Sequence, residues 1–307
     1  MDITDKIKLG LDETRMLVLG SQVLIGFQFR GLFNEGFADL PAALRQADGA
    51  AMLLLTAVMA LLLVPGCFLR LAEHGENTAR LDRLMTGIAE IILLPFAVSL
   101  GLDIAITAYG IFGMAGGVAG GLIFTAAALF ASYGFGYLNR RAGKKQRELA
   151  MSRQKKIESE QKPTPLFQRI DQMLTEARVI LPGVQALLGF QLISVFAKPF
   201  DDLPELSKLV HAAALGFLAL AVILLMAPAA YHRIVFAGED SEDMHKKGSW
   251  MVGWATLPLA LGLSCDVYVA LAKIADSALA GAVWAGLALL AFATLWYIYP
   301  LLARKTA

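Results

Sequence analysis

The fold class this 307-residue chain predicts is an all-α, polytopic membrane protein, with eight transmembrane helices arranged as two parallel four-helix repeats. Three observations predict it. Apolar residues make up 57% of the chain and charged residues only 17%, whereas soluble domains average about 45 to 50% and about 25%. Eight stretches approach the roughly 20 apolar residues that a helix needs to cross a bilayer core. A set of identities also recurs at one constant offset of 163 residues. The partner so implied is the lipid bilayer; a net charge of +1 with no basic stripe gives no nucleic-acid signature.

The opening segment MDITDKIKLGLDETR carries seven charges and no apolar run ending in a small-residue cleavage site, so no cleaved signal peptide is expected. The spans then fall near residues 16–33, 49–69, 85–109, 115–138, 179–196, 212–231, 249–272 and 279–302. The first and fifth are the weakest by hydropathy, and each carries two glutamines, which places them against protein, where amides find partners. Asp39-Leu40-Pro41 precedes the second span and Asp202-Leu203-Pro204 the sixth, a helix-start signal with aspartate as the cap. Phe33, Phe37, Phe196 and Phe200 read as an aromatic collar at that interface. The third and seventh spans contain Pro95 and Pro258. In the fourth, Gly116 and Gly120, Gly117 and Gly121, and Ser132 and Gly136 recur at spacing four, as do Ala278, Ala282 and Gly286 in the eighth, a pattern that lets helix backbones approach. GMAGGVAGG is not a phosphate loop, because no strand precedes it and no Gly-Lys-Ser/Thr follows.

The repeat runs without a gap into the third helix of each half. It pairs Glu13 with Glu176, Arg15 with Arg178, Gly20 with Gly183, Gln22 with Gln185, Phe27 with Phe190 and Gln28 with Gln191. It continues through Pro65 and Pro228, Arg70 and Arg233, Pro95 and Pro258, and Asp103 and Asp266; the fourth helices match only in being apolar and rich in small residues. The units are residues 1–140 and 168–307, with a charged linker at 141–167 read as solvated and topology-fixing rather than as a surface-binding patch. All but five of the 27 Lys and Arg lie on one side of the spans, the exceptions being Arg30, Arg45, Lys198, Lys208 and Lys273. The positive-inside rule therefore puts both termini in the cytoplasm. Four spans per half keep the halves the same way up about an axis along the membrane normal. Cys67 and Cys265 should lie near opposite faces, beyond disulfide reach.

Depth assigns roles to the polar residues. Gln22 lies about 10 Å inside the membrane, as does the Ile91 carbonyl that Pro95 deprives of its hydrogen bond. Gln22 is therefore expected to satisfy Ile91, and Gln185 the Trp254 carbonyl beside Pro258. Gln28 and Gln191 point about 240° away from those amides and remain free. With Asp103 and Asp266, at a similar level, they form a candidate polar path, although the aspartates also lie near enough to the interface to be solvated or to cap a helix. Glu13, Arg15, Glu176 and Arg178 mark the cytoplasmic edge, as interfacial anchors in preference to a charged gate. His74, His211, His232 and His245 form no metal or haem pattern, and no nucleophile elbow is present, so no cofactor, metal or enzymatic activity is expected.

TEARVILPGVQALLGFQL at 175–192 with APAAYHR at 227–233 resembles an uncharacterised bacterial family of small four-helix membrane proteins, a domain of unknown function. Its members are usually single units, and this chain looks like two fused in tandem; the first half reads VPGCFLR where the second reads APAAYHR. The resemblance implies a pseudo-dimer within one chain, open to further self-association, in a bacterial inner membrane. The expected function is a pore or secondary transporter for a small solute or ion. The alternative is a non-transporting membrane scaffold or accessory subunit, and a dry interface between the halves would favour it.

Overall fold

The computed structural model describes residues 3–134 and 163–304, and these contain helices and no strand. The helices are α1 (Ile3–Gly31), α2 (Ala42–Leu62), α3 (Val64–Leu71), α4 (Ala79–Leu129), α5 (Leu166–Ser194), α6 (Lys198–Asp201), α7 (Glu205–Phe236), α8 (Glu242–Ala275), α9 (Ala278–Ala293) and α10 (Tyr299–Arg304). Most of the linker, residues 141–162, lies outside the described residues. Its last residues do not behave as a linker: Thr164 is buried and its N–H donates to Glu76 at 2.6 Å, and α5 begins two residues later.

Among the described residues, six helical segments are long and apolar enough to cross a membrane: Ala42–Leu71, Ala79–Gly134, Leu166–Ser194, Glu205–Phe236, Glu242–Ala275 and Ala278–Arg304. The segment 79–134 is a hairpin rather than a rod. Gly113, at φ 71° and ψ −168°, breaks the helix in a region open almost only to glycine. Beyond it the chain folds back, so that a Cβ on Gly117 would stand 2.9 Å from the Ala105 carbonyl and one on Gly121 2.8 Å from the Ala105 Cβ. The small-residue stripe is thus a packing seam. Gly136 lies outside the described residues.

Local signals set several boundaries. The Thr78 hydroxyl accepts from the Leu81 N–H at 3.2 Å to cap α4, and Ser241 accepts from Met244 at 3.0 Å to cap α8. At α2 and α7 the expected aspartate caps are absent. Pro41 and Pro204 occupy the cap positions without a side-chain bond, and Asp39 and Asp202 are exposed. The helix does start where the motif predicts, because the extended proline backbone ends the preceding turn. Pro65 sits in the first turn of α3, just past the break at Leu63, whereas Pro228 lies inside the uninterrupted α7.

All six residues with positive φ among the described residues fall into three pairs 163 apart: His74 and Ala237, Gly75 and Gly238, Gly113 and Asp276. α2 and α8 are the most enclosed helices, and one apolar core joins both halves through Ile25, Leu55, Met59, Val184, Leu187 and Leu263. Trp296, fully buried, reaches across from the second half to donate its indole N–H to the Ala60 carbonyl at 2.8 Å.

Candidate functional site

The candidate path residues meet in pairs. The Gln28 amide of α1 donates to Asp103 of α4 at 2.6 Å, and the Gln191 amide of α5 donates to Asp266 of α8. Neither aspartate is a helix cap: Asp103 is half-buried and Asp266 only 1% exposed. An amide hydrogen bonded to a carboxylate inside an apolar bundle is the satisfaction that a buried polar group requires.

The two pairs differ in their surroundings. Gln28 and Asp103 line a cavity of about 490 Å³, which also touches Phe27, Gly31, Phe37, Asp48, Ile106 and Thr107. Asp48, on α2, is 8% exposed and lies close enough to Asp103 for the two carboxylates to feel each other's charge. Gln28 Oε1, Asp48 Oδ2 and Asp103 Oδ2 meet no protein donor. In the second half His211 stands 163 positions after Asp48. Its ring stacks on Phe29, with centroids 5.5 Å apart, and meets Phe200 edge-on at 5.0 Å, so aromatic side chains fill the space and Gln191 is 1% exposed. Neither Asp48 nor His211 was assigned to this site from sequence: Asp48 falls one residue before the expected second span, close to Arg45 and Gln46, where a charge is ordinary, and His211 was read only as part of no metal or haem pattern.

The proposed amide–proline relation does not form. Gln22 is fully buried, but neither polar atom of its amide has a hydrogen-bond partner, and Ile91 lies exposed on the other side of α4. The amide instead fills the space above Gly183 on α5, where a Cβ would collide with its oxygen. Gln185 is exposed, as is Trp254. The physical reason is interhelical geometry: α1 turns Gln22 toward α5, not toward Pro95, and Pro95 and Pro258 lie within uninterrupted helix. The first helices are therefore not both turned inward along their amide-bearing faces.

At the edge expected to face the cytoplasm the matched residues also part company. Glu176 forms a mostly buried ion pair with Arg70 of α3, over Gly66, whereas Glu13 and Arg178 are exposed. The side chain of Arg15 lies outside the described residues. The collar is partial: Phe33 and Phe200 pack at 5.5 Å across the halves, Phe37 lines the cavity and Phe196 is 87% exposed. Cys67 and Cys265 are free thiols.

Contacts along α1 and α5 show how the two helices lie. Lys8 pairs with Asp171 at 3.2 Å, Phe27 packs on Phe190 at 4.5 Å, and Glu35 just beyond α1 faces Lys198 at 3.9 Å. Each partner is 163 residues from the other. Antiparallel helices could bring a residue against its own counterpart at only one level, and these contacts span about 28 Å between residues 8 and 27 alone. α1 and α5 run parallel.

These features define an all-helical protein with several helices apolar enough to cross a membrane. Within that class, residues 160–300 match a family model described as a family of unknown function (DUF6328). No curated protein and no solved structure gives a significant match.

Proposed function

We propose that this chain is an inner-membrane protein of eight spans, two four-helix units fused the same way up with both termini in the cytoplasm, and that it is a secondary transporter of a small solute. The eighth-span count takes α1 and both arms of the hairpin at Gly113 as spans. Corresponding contacts support the two-unit reading. Ser99 donates to the Ala51 carbonyl at 3.0 Å, while a Cβ on Gly262 would lie 3.6 Å from the Ala214 carbonyl. Gly10 receives Met85 as Gly248 receives Met173, and Gly117 meets the Ala105 carbonyl as Gly281 meets that of Tyr268. Each carbonyl or methionine–glycine set recurs at the 163 offset. In the fourth helix the glycine contact recurs at 164 rather than 163.

The observation that carries the transport reading is the cavity at Gln28, Asp48 and Asp103, of the 300 to 1,000 Å³ size that small ligands occupy. Apolar packing at the level of Ile25, Leu55 and Val184 closes the way inward, which argues for a gated carrier rather than an open pore. The scaffold reading draws on that same core, which joins the halves through continuous apolar contact, although a pocket of about 330 Å³ lined by Arg70, Gln172, Glu176 and His245 also lies between them. The test is uptake of labelled sodium, potassium and methylammonium ions into proteoliposomes. Protein-dependent uptake that falls at least about tenfold in Asp103→Asn supports transport; no protein-dependent uptake of any of them leaves the scaffold.

A further inference from the structure

We infer that the cavity in the first unit is a site for a small organic cation, an ammonium group carrying an apolar substituent, and that the chain holds one such site rather than two. This deepens the reading of the cavity as the solute site and rests on it.

Four observations lead there. The wall offers unmatched acceptors: Gln28 Oε1, Asp48 Oδ2 and Asp103 Oδ2 are buried and paired with no protein N–H or O–H. Gln28 and Asp48 are themselves 6% and 8% exposed, so their oxygens face the interior and not bulk solvent. Buried oxygens left unpaired keep the full cost of their desolvation, and a ligand that brings N–H donors or positive charge offsets it. Among the described residues neither carboxylate forms an ion pair with a Lys or Arg, so no protein cation competes with a ligand for them.

Size and lining exclude the simpler cation. Among the described residues no three acidic, cysteine or histidine side chains come together as a metal site would require. About 490 Å³ is also far more room than a bare ion fills. Phe27, Phe37, Leu24, Leu40 and Ile106 supply the apolar part of the wall, and Asn34 and Thr107 complete its polar part. Aromatic faces beside carboxylates are how proteins hold alkylated ammonium groups, by ring quadrupole and apolar contact together. The single copy follows from the second unit, where His211 replaces the second carboxylate and Phe29 and Phe200 occupy the volume. The same ammonium chemistry is carried by free amines and by the headgroup of phosphatidylethanolamine.

The experiment uses the full chain, purified and delipidated in detergent. Tetramethylammonium and n-butylammonium chlorides are titrated calorimetrically, with n-butanol as the uncharged counterpart and sodium chloride as the inorganic one. Saturable binding of an amine at one per chain is expected. It should weaken at least about tenfold in Asp48→Asn and in Asp103→Asn. It should also be lost in Gly31→Leu, which fills the cavity from a position with nothing within 4 Å of its Cβ and leaves every charge in place. Gln185→Ala, on the exposed face, should bind as the wild type does. A second arm compares nanodiscs of phosphatidylethanolamine with those of phosphatidylglycerol, scoring retained lipid by native mass spectrometry. Retention of the former alone, sensitive to the same substitutions, makes the headgroup the source. Equal binding of n-butanol, equal occupancy by sodium, two amines per chain, or no binding in either arm overturns the inference. Amine binding without uptake into proteoliposomes overturns transport and leaves the site; uptake of another ion without amine binding does the reverse.

Discussion

The ion pair between Arg70 and Glu176 offers the sharpest test of how the two units are joined. The guanidinium comes from α3 of the first unit and the carboxylate from α5 of the second, with side chains only 12% and 17% exposed. The Glu176 carboxylate sits where Gly66 leaves room for it. Glu176→Ala strands the guanidinium among apolar neighbours. Breaking a fully buried pair costs about 3–5 kcal/mol, and the residual exposure here brings the expectation to about 3 kcal/mol. Replacing both partners, Arg70→Met with Glu176→Leu, removes the charge together with the need for it. That double variant should fall within about 1 kcal/mol of wild type, giving a coupling energy of at least about 2 kcal/mol in a double-mutant cycle. Glu13→Ala, at the matching but exposed position, should change stability by no more than about 0.5 kcal/mol. The assay is reversible unfolding of the full chain in mixed micelles, followed by circular dichroism and by the fluorescence of buried Trp296. A Glu176→Ala loss below about 1 kcal/mol, or a double variant as unstable as the two singles combined, would refute the argument that this contact locks α3 to α5.

The methionine–glycine contacts test the correspondence between the units: Gly248→Met alone should overpack the second unit by about 1–3 kcal/mol in the same unfolding assay. Adding Met173→Gly recreates the arrangement of Gly10 and Met85 and should recover most of that loss. At the two hairpin tips, Gly113→Ala forces a Cβ into a glycine-only backbone region and should cost about 1–3 kcal/mol. Asp276→Gly, at φ 48° and ψ 43°, should be neutral or slightly stabilising, and equal effects at the two sites would count against a strained reversal at Gly113.

Span positions were legible in the sequence because a helix in hydrocarbon must be apolar over its whole length, a requirement each segment meets by itself. Seven of the eight expected stretches coincide with the six helical segments apolar enough to cross, two of them merged in the segment 79–134. The amides of α1 explain why one did not: Ser21, Gln22 and Gln28 lower its hydropathy while being buried against other helices. Depth placed Gln28 with Asp103, and Gln191 with Asp266, at a similar level of their helices; that each amide bonds its carboxylate is read from the structure.

Rotation about the helix axis was not legible, because it depends on which neighbour a helix packs against. A depth argument put Gln22 level with the Ile91 carbonyl, yet α1 is turned so that the amide meets Gly183. The same limit hid Asp48 and Arg70, whose significance lies in partners 55 and 106 residues away in the chain. Sequence alone thus determined that the chain is helical and where most of its long apolar segments fall, which are properties of one helix in an apolar medium. Tertiary structure alone decided which polar groups face each other, why one unit keeps a cavity and the other closes over His211, and how the units lock, because those outcomes are set by the shapes of two surfaces in contact.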